Sequence, residues 1–308
     1  MTKIKINFFI IAYIVFFFTN LWALENKILF KVDNKIITSI DIYNELKYLE
    51  IINKEFKDTS QKKAFEIAKR SLIREKIKEI ELSKVFKELK VESEFLDKII
   101  IDYFKSFEIN NISDFEIYFA TKEINPDSIK KKISLEILWN QFIYSKFIKN
   151  IKIDKELIRN DLLNKNKKKE FLLSEILFNL DKNEKLNDKI ILLEREIENN
   201  GFSKTALSYS NSDTANKGGK LGWVNETILN TKIKEKVKKT KVGNFTKPIV
   251  IPGGFLILKI EDVREVENIS DLNLEINKVV KIKTNEQLNQ FSNIYFNKVK
   301  KNITINEL

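Results

Sequence analysis

The sequence predicts an α+β protein: an all-α N-terminal module, completed by a C-terminal helix, is joined to one small βααβαββ unit over residues 171–264. Three observations carry this. Between residue 39 and about residue 150, apolar residues recur at three- and four-residue spacing, with Pro126 as the one Gly or Pro. At Phe171 the texture changes to short apolar runs of strand length, punctuated by glycines. From residue 269 helical spacing returns and continues almost to the C-terminus.

Composition narrows the chemistry. The 308 residues give room for two domains. A 43% hydrophobic content supports a core. The net charge of +11 is carried almost wholly by Lys. Phosphate readers favour the planar fork of Arg, so the lysine excess does not predict nucleic-acid binding. With no Cys and no His, disulfides, thiolate nucleophiles, imidazole acid–base chemistry and the common zinc sites are excluded. No metal or cofactor site is expected.

Residues 1–24 read as a signal peptide. Lys3 and Lys5 precede an apolar run at 8–18, and cleavage is expected after Ala23. An uncleaved anchor over residues 6–24 is the alternative. In either case the body of the chain faces outside the cytoplasm.

Residues 26–37 alternate around Asp33-Asn34 and predict a hairpin. Thr38 or Ser39 then caps a helix. Ala64, Ile67, Ala68, Leu72, Ile77 and Ile80 form one stripe of a long helix. A further helix starts at 91–93 with Phe95, Ile99 and Tyr103 on one side; Ser113 caps another. Pro126 opens a helix through Trp139 and Phe147. The module is assigned residues 25–153. Residues 154–170 are a linker: a short helix, then a solvated lysine run at 165–169 that offers at most a weak membrane-surface contact.

The second unit opens on the strand FLLSEILF at 171–178. Helices follow at 185–199, ending at Gly201, and at 202–209. A loop at 210–222 holds Gly218, Gly219 and Gly222. A helix at 227–240, a turn at 243–248 and a strand at 255–263 complete it. Residues 265–308 form one long helix and a short final strand, and the N-terminal module is the expected partner of that helix.

Several stretches of residues 171–263 resemble the parvulin (PpiC-type) peptidyl-prolyl isomerases. Leu173-Ser174-Glu175-Ile176-Leu177 is similar to the family's Leu-Ser-His-Ile-Leu strand. Gly201-Phe202 with Ala206, Tyr209 and Ser210 is similar to its Gly-x-Phe…Ala…Tyr-Ser helix. Gly218-Gly219-Lys220-Leu221-Gly222-Trp223 resembles Gly-Gly-Asp-Leu-Gly-Trp, and residues 254–259 resemble Gly-Phe-His-Ile-Leu-Lys. More loosely, residues 32–41 and the flanking helical plan resemble SurA-like periplasmic chaperones.

By position, the resemblance implies that the family's two active-site histidines are replaced by Glu175 and Leu256. Its acidic or thiol position falls on Ser212, with Asp213 beside it. The proline pocket falls on Leu229 and Ile233. Trp223 and Phe255 complete the substrate-binding set, with core packing as their other reading. Opposite a Leu, Glu175 is expected to point to solvent or to pair with a lysine. The implied protein is a periplasmic folding factor for unfolded or proline-containing polypeptides, outer-membrane precursors among them. Its isomerase unit has lost its histidines. An active isomerase and a membrane-anchored foldase are the alternatives.

Overall fold

A computed structural model describes residues 26–163, 167–181, 183–267 and 271–308; the signal segment 1–24 lies outside the described residues, as do residues 164–166 of the lysine run. The hairpin forms as strands β1 (Ile28–Val32) and β2 (Lys35–Thr38), with Asp33 at φ 46° in the turn. Thr38 caps helix α1 (Ser39–Ile52) through a capping box, its side chain accepting from Asp41 N while the Asp41 carboxylate accepts from Thr38 N.

Helices α2 (Gln61–Leu82), α3 (Ser93–Phe104), α4 (Ile112–Ala120) and α5 (Pro126–Phe147) follow. Pro126 sits in the first turn of α5, where its missing N–H costs nothing. Two details differ from the sequence reading. Helix α3 buries Leu96, Ile100 and Phe104, whereas Phe95 and Tyr103 are exposed. Both triplets have helical spacing, and the choice is made by Phe104, whose ring meets Phe115 and Phe119 at 5.5 and 5.1 Å. Asn111, not Ser113, caps α4, accepting from Asp114 N.

After α6 (Lys155–Leu163), strand β3 (Lys167–Phe178) begins earlier than the apolar run suggests. The end of the lysine run is therefore strand, with the Lys169 side chain exposed. It pairs with β6 (Gly254–Glu267), and the ribbon is held by cross-strand ion pairs, Glu170 with Arg264 at 2.7 Å and Lys169 with Glu265 at 4.0 Å. Helices α7 (Leu186–Asn200) and α8 (Phe202–Tyr209), strand β4 (Lys220–Asn225), helix α9 (Thr231–Lys239) and strand β5 (Ile249–Ile251) complete an antiparallel sheet of order β4-β3-β6-β5. Helix α9 starts at Thr231 rather than near 227, because Asn230 caps it.

Helix α10 (Leu272–Lys300) and strand β7 (Ile305–Glu307) close the chain. Strand β7 adds to β1, and α10 lies in the helical core. There Trp139 Nε1 donates to Ser292 Oγ at 2.8 Å, and Phe147 stacks on Phe291 at 5.0 Å. Upstream, Ile276 and Val279 of α10 bury against Ile158 and Leu162 of α6. Among the described residues no helix is long and apolar enough to cross a membrane.

The sheet unit is docked on the helical module through α2. Leu207 of α8 is buried in the helical core. Beside it Arg70 donates to the carbonyls of Leu207 and Ser208, and Arg74 to Asn211 O at 2.6 Å.

Candidate peptide-binding site

Strand alternation divides the sheet into two faces. Register pairs Leu173 with Ile260, Glu175 with Leu258 and Leu177 with Leu256, so these side chains share one face. On it, Phe171, Leu173, Leu256, Leu258 and Ile260 form an apolar cluster with Val237 and Ile249, and Leu229 and Ile233 pack against it partly buried. The other face carries Ile176, Phe178 and Ile257 against α7 and α8.

Glu175 is the polar exception on the first face, and it neither points to solvent nor pairs with a lysine. Thr214 Oγ1 donates to its Oε1 at 2.9 Å. Ser212 Oγ lies 2.8 Å from Thr214 Oγ1 and 2.9 Å from Ser210 Oγ, which accepts from Leu177 N at 3.1 Å. A chain of three hydroxyls thus runs from the strand backbone to the carboxyl. Burial pushes the Glu175 carboxyl up; the Thr214 and Ser212 hydrogen bonds oppose this, and the nearby Asp213 charge adds to it.

The loop is fixed against β3 at Gly219, whose carbonyl accepts from Glu175 N at 2.8 Å. Gly219 has φ +78°, and a Cβ there would fall 2.1 Å from Glu175 O. Gly222 has φ +80° but no atom within 4 Å of such a Cβ. Gly219→Ala is therefore expected to cost about 3 kcal/mol, from backbone strain plus the clash, and Gly222→Ala about 1 kcal/mol. Urea unfolding of the two variants separates these values, and equal losses would refute the close-approach argument.

The remaining candidates lie elsewhere. Asp213 turns away to α2, where Arg74 Nη2 donates to it at 2.8 Å and Lys78 Nζ stands 3.8 Å off. Burial alone would raise the Asp213 carboxyl, but Lys78 and Arg74 hold it below its ordinary value. Lys78 is fully buried and also meets Glu136 at 2.5 Å. Phe255 stacks on Phe178 at 5.4 Å on the opposite face and does not line the pocket. Trp223 is 37% exposed, with the Arg264 guanidinium 4.1 Å from its ring centre, and belongs neither to the pocket nor to the core.

The structure therefore brings together Glu175, Ser212, Leu229, Ile233 and Leu256. Sequence reasoning missed Ser210 and Thr214. Their signal was the alternation Ser210, Ser212, Thr214, three hydroxyls that the turn after α8 brings into one hydrogen-bonded row. Among the described residues no group of three or more Asp or Glu is placed to hold a metal.

Residues 173–262 match the family model described as Rotamase, a PPIC-type PPIase domain. Curated relatives include the Chaperone SurA of Pseudomonas putida, 24% identical over 165 residues, covering 50% of this chain and 39% of that protein. The Chaperone SurA of Pseudoalteromonas atlantica is 38% identical over 76 residues, covering 24% and 18% respectively. The chain thus matches well under half the length of these relatives. Among solved structures, one described with the SurA-like chaperones PEB4 and Cj1289 of Campylobacter jejuni is 18% identical, covers 92% of this chain and 99% of its own, and has a TM-score of 0.37. A PpiC-type peptidyl-prolyl cis-trans isomerase domain is 28% identical over 32% of this chain and 95% of its own, with a TM-score of 0.29.

Proposed function

We propose that this chain, which carries a PPIC-type PPIase domain and has SurA chaperones among its relatives, is a periplasmic folding factor. It holds unfolded polypeptides, outer-membrane precursors among them. Its PPIase-type domain serves as a peptide-binding unit with little or no turnover. We divide the chain functionally into a helical module of residues 25–153 with 265–308, and a peptide-binding domain of residues 171–264.

One observation carries this reading. The face bearing the family's histidine positions offers an apolar wall of Leu229, Ile233 and Leu256, with one carboxyl, Glu175, already engaged by Thr214. Rotation about a prolyl bond faces a barrier of ~18–20 kcal/mol. Lowering it requires groups that bind the twisted amide more tightly than the planar one. An apolar wall binds both equally, which gives affinity without rate. The wall suits a proline ring or an aliphatic side chain.

The test is a proline cis/trans assay on residues 25–308, run beside an aggregation-suppression assay on an unfolded client. The expected result is suppression without acceleration. Leu229→Ala/Ile233→Ala should weaken binding of a proline-containing peptide by roughly tenfold, the equivalent of ~1.4 kcal/mol. Acceleration that disappears in this double variant would establish a working isomerase instead. Protein that neither binds nor protects any client would end the chaperone reading. For the anchored alternative, a mature protein retaining residues 1–24 by mass is the deciding observation.

A further inference from the structure

A cavity of about 310 Å³ lies at the seam between the helical module and the sheet unit, outside the peptide-binding face. Its apolar lining comes from Ile52 at the end of α1 and from Tyr103 and Phe107 at the end of α3. The two rings are anchored: both meet Phe104, at 4.8 and 5.7 Å, and Phe104 is fully buried. The charge of the cavity is positive. Lys54 lines it from the helical module, Lys217 and Lys220 from the sheet unit, and Glu55 is the one acid among its described lining residues. Lys217 ends a three-residue turn, Ala215–Lys217, and Gly218 after it takes φ +70°. A Cβ on Gly218 would fall 2.1 Å from Ser203 Oγ, so the backbone carrying Lys217 is held close against α8. The Lys217 ammonium stands 3.7 Å from the centre of the Tyr103 ring. A ring face offsets only part of what a cation loses on leaving water. Burial lowers Lys217 from its ordinary value, and no carboxylate opposes the shift.

We propose that this cavity binds a carboxylate carried on one apolar group, as at the free end of a polypeptide or in a small aryl or alkyl acid. The lysines meet the carboxylate, and Ile52, Tyr103 and Phe107 take the apolar body. The lining selects this chemistry. Ammonium groups are point charges that suit any anion, but a hydrated phosphate would gain nothing from two rings and an isoleucine. An uncharged apolar molecule would leave the lysines without a counter-charge. The volume stands at the lower end of the about 300–1,000 Å³ of ligand cavities, which fits one residue and not a chain segment. The site goes beyond the peptide-binding reading and does not depend on it. Lys54 and Lys217 come from different units, so a bound carboxylate also ties the two together and stabilises the docked form by mass action.

The test is calorimetric titration of residues 25–308 with 3-phenylpropionate and with N-acetyl-Gly-Phe, each acid beside its amide. Only binding that survives Leu229→Ala/Ile233→Ala is counted, which sets aside the peptide-binding face. The expected result is a Kd of about 1 mM or tighter for an acid, and binding at least tenfold weaker for its amide. The thermal midpoint should rise with acid concentration. Lys217→Gln should weaken the acid at least fivefold, and Lys217→Arg should retain most of the affinity. Lys217 and Lys220 are exposed, so neither is needed for folding, and Lys220→Gln gives a second reading of the same loss. Lys232→Gln, at an exposed lysine of α9, should change nothing. Tighter binding of N-acetyl-Gly-Phe than of 3-phenylpropionate identifies a chain end as the ligand, and the reverse order a free small acid; both support the site. Equal affinity for acid and amide would overturn it. So would unchanged affinity in both Gln variants at 217 and 220, or inorganic phosphate competing as well as the acid. No binding of either acid to folded protein would also overturn it, and would leave the peptide-binding reading standing.

Discussion

Arg70→Ala should uncouple the sheet unit from the helical module and cost about 3–5 kcal/mol. Arg70 is largely withdrawn from solvent, and burial lowers its guanidinium to about 10. It stays charged at neutral pH and spends that charge on the carbonyls of Leu207 and Ser208. Deleting it leaves these carbonyls without their donor beside Leu207, which is 1% exposed. Arg70→Lys should recover little, since one ammonium cannot reproduce a planar fork that serves two adjacent carbonyls. Urea unfolding followed by tryptophan fluorescence and by far-UV circular dichroism should change from coincident to separated transitions. A single transition at the wild-type midpoint would show that the docking does not depend on Arg70.

The second large effect is a pH dependence centred on Glu286. Burial is the main reason its carboxyl rises from 4.5 to about 7; Glu175 adds to the rise and Lys283 opposes it. The folded protein therefore holds this proton more tightly than the unfolded chain does. Stability from the group is fully present below pH 4.5, falls as pH rises, and is gone above about 7. The full swing is at most about 3 kcal/mol. Glu286→Gln, a permanent mimic of the neutral acid, should leave the midpoint unchanged at pH 5 and raise it at pH 8. Glu175 titrates in the same sense and keeps a residual slope. A wild-type protein as stable at pH 8 as at pH 5, with no gain from the Gln variant, would contradict this placement of Glu286.

What could be read from the sequence depended on whether one local pattern had one physical solution. Pro126 after Asn125 can open a helix and cannot sit inside one, and α5 begins there. Alternation around Asp33-Asn34 allowed little but a hairpin, and the order of elements in the sheet unit followed from its apolar runs and glycines. Where two solutions shared one pattern, the sequence was silent. The α3 stripes of Phe95 and Leu96 have the same period, and only Phe104 meeting α4 selects between them. Trp223 and Phe255 flank the strands of the pocket in sequence, yet the pleat and the bulges of β3 send them to other surroundings. For the site, the two positions taken from the family, Glu175 and Leu256, lie on one face of the sheet by register. Family position could not foresee that Thr214 and Ser212, with Ser210 behind them, would supply the partners that a lysine was expected to give. Asp213 was out of reach for a different reason: its partners Arg74 and Lys78 are more than 130 residues away in the chain.

The pairing of β1 with β7 has a consequence for how the chain acquires its structure. Thr304 N donates to Asp33 Oδ1 across 271 residues, and Asp33 N returns a bond to Thr304 O. Trp139 likewise waits for Ser292, 153 residues later. The sheet unit's own strand contacts all close within residues 167–267. During synthesis at ~5–20 residues per second, that unit can complete its sheet while the helical module still lacks its last helix and strand. A module that must stay open for many seconds, with Trp139 and Phe142 uncovered, is itself an unfolded client in the interval. Such long-range closure predicts slow refolding of the helical module after faster recovery of the sheet unit.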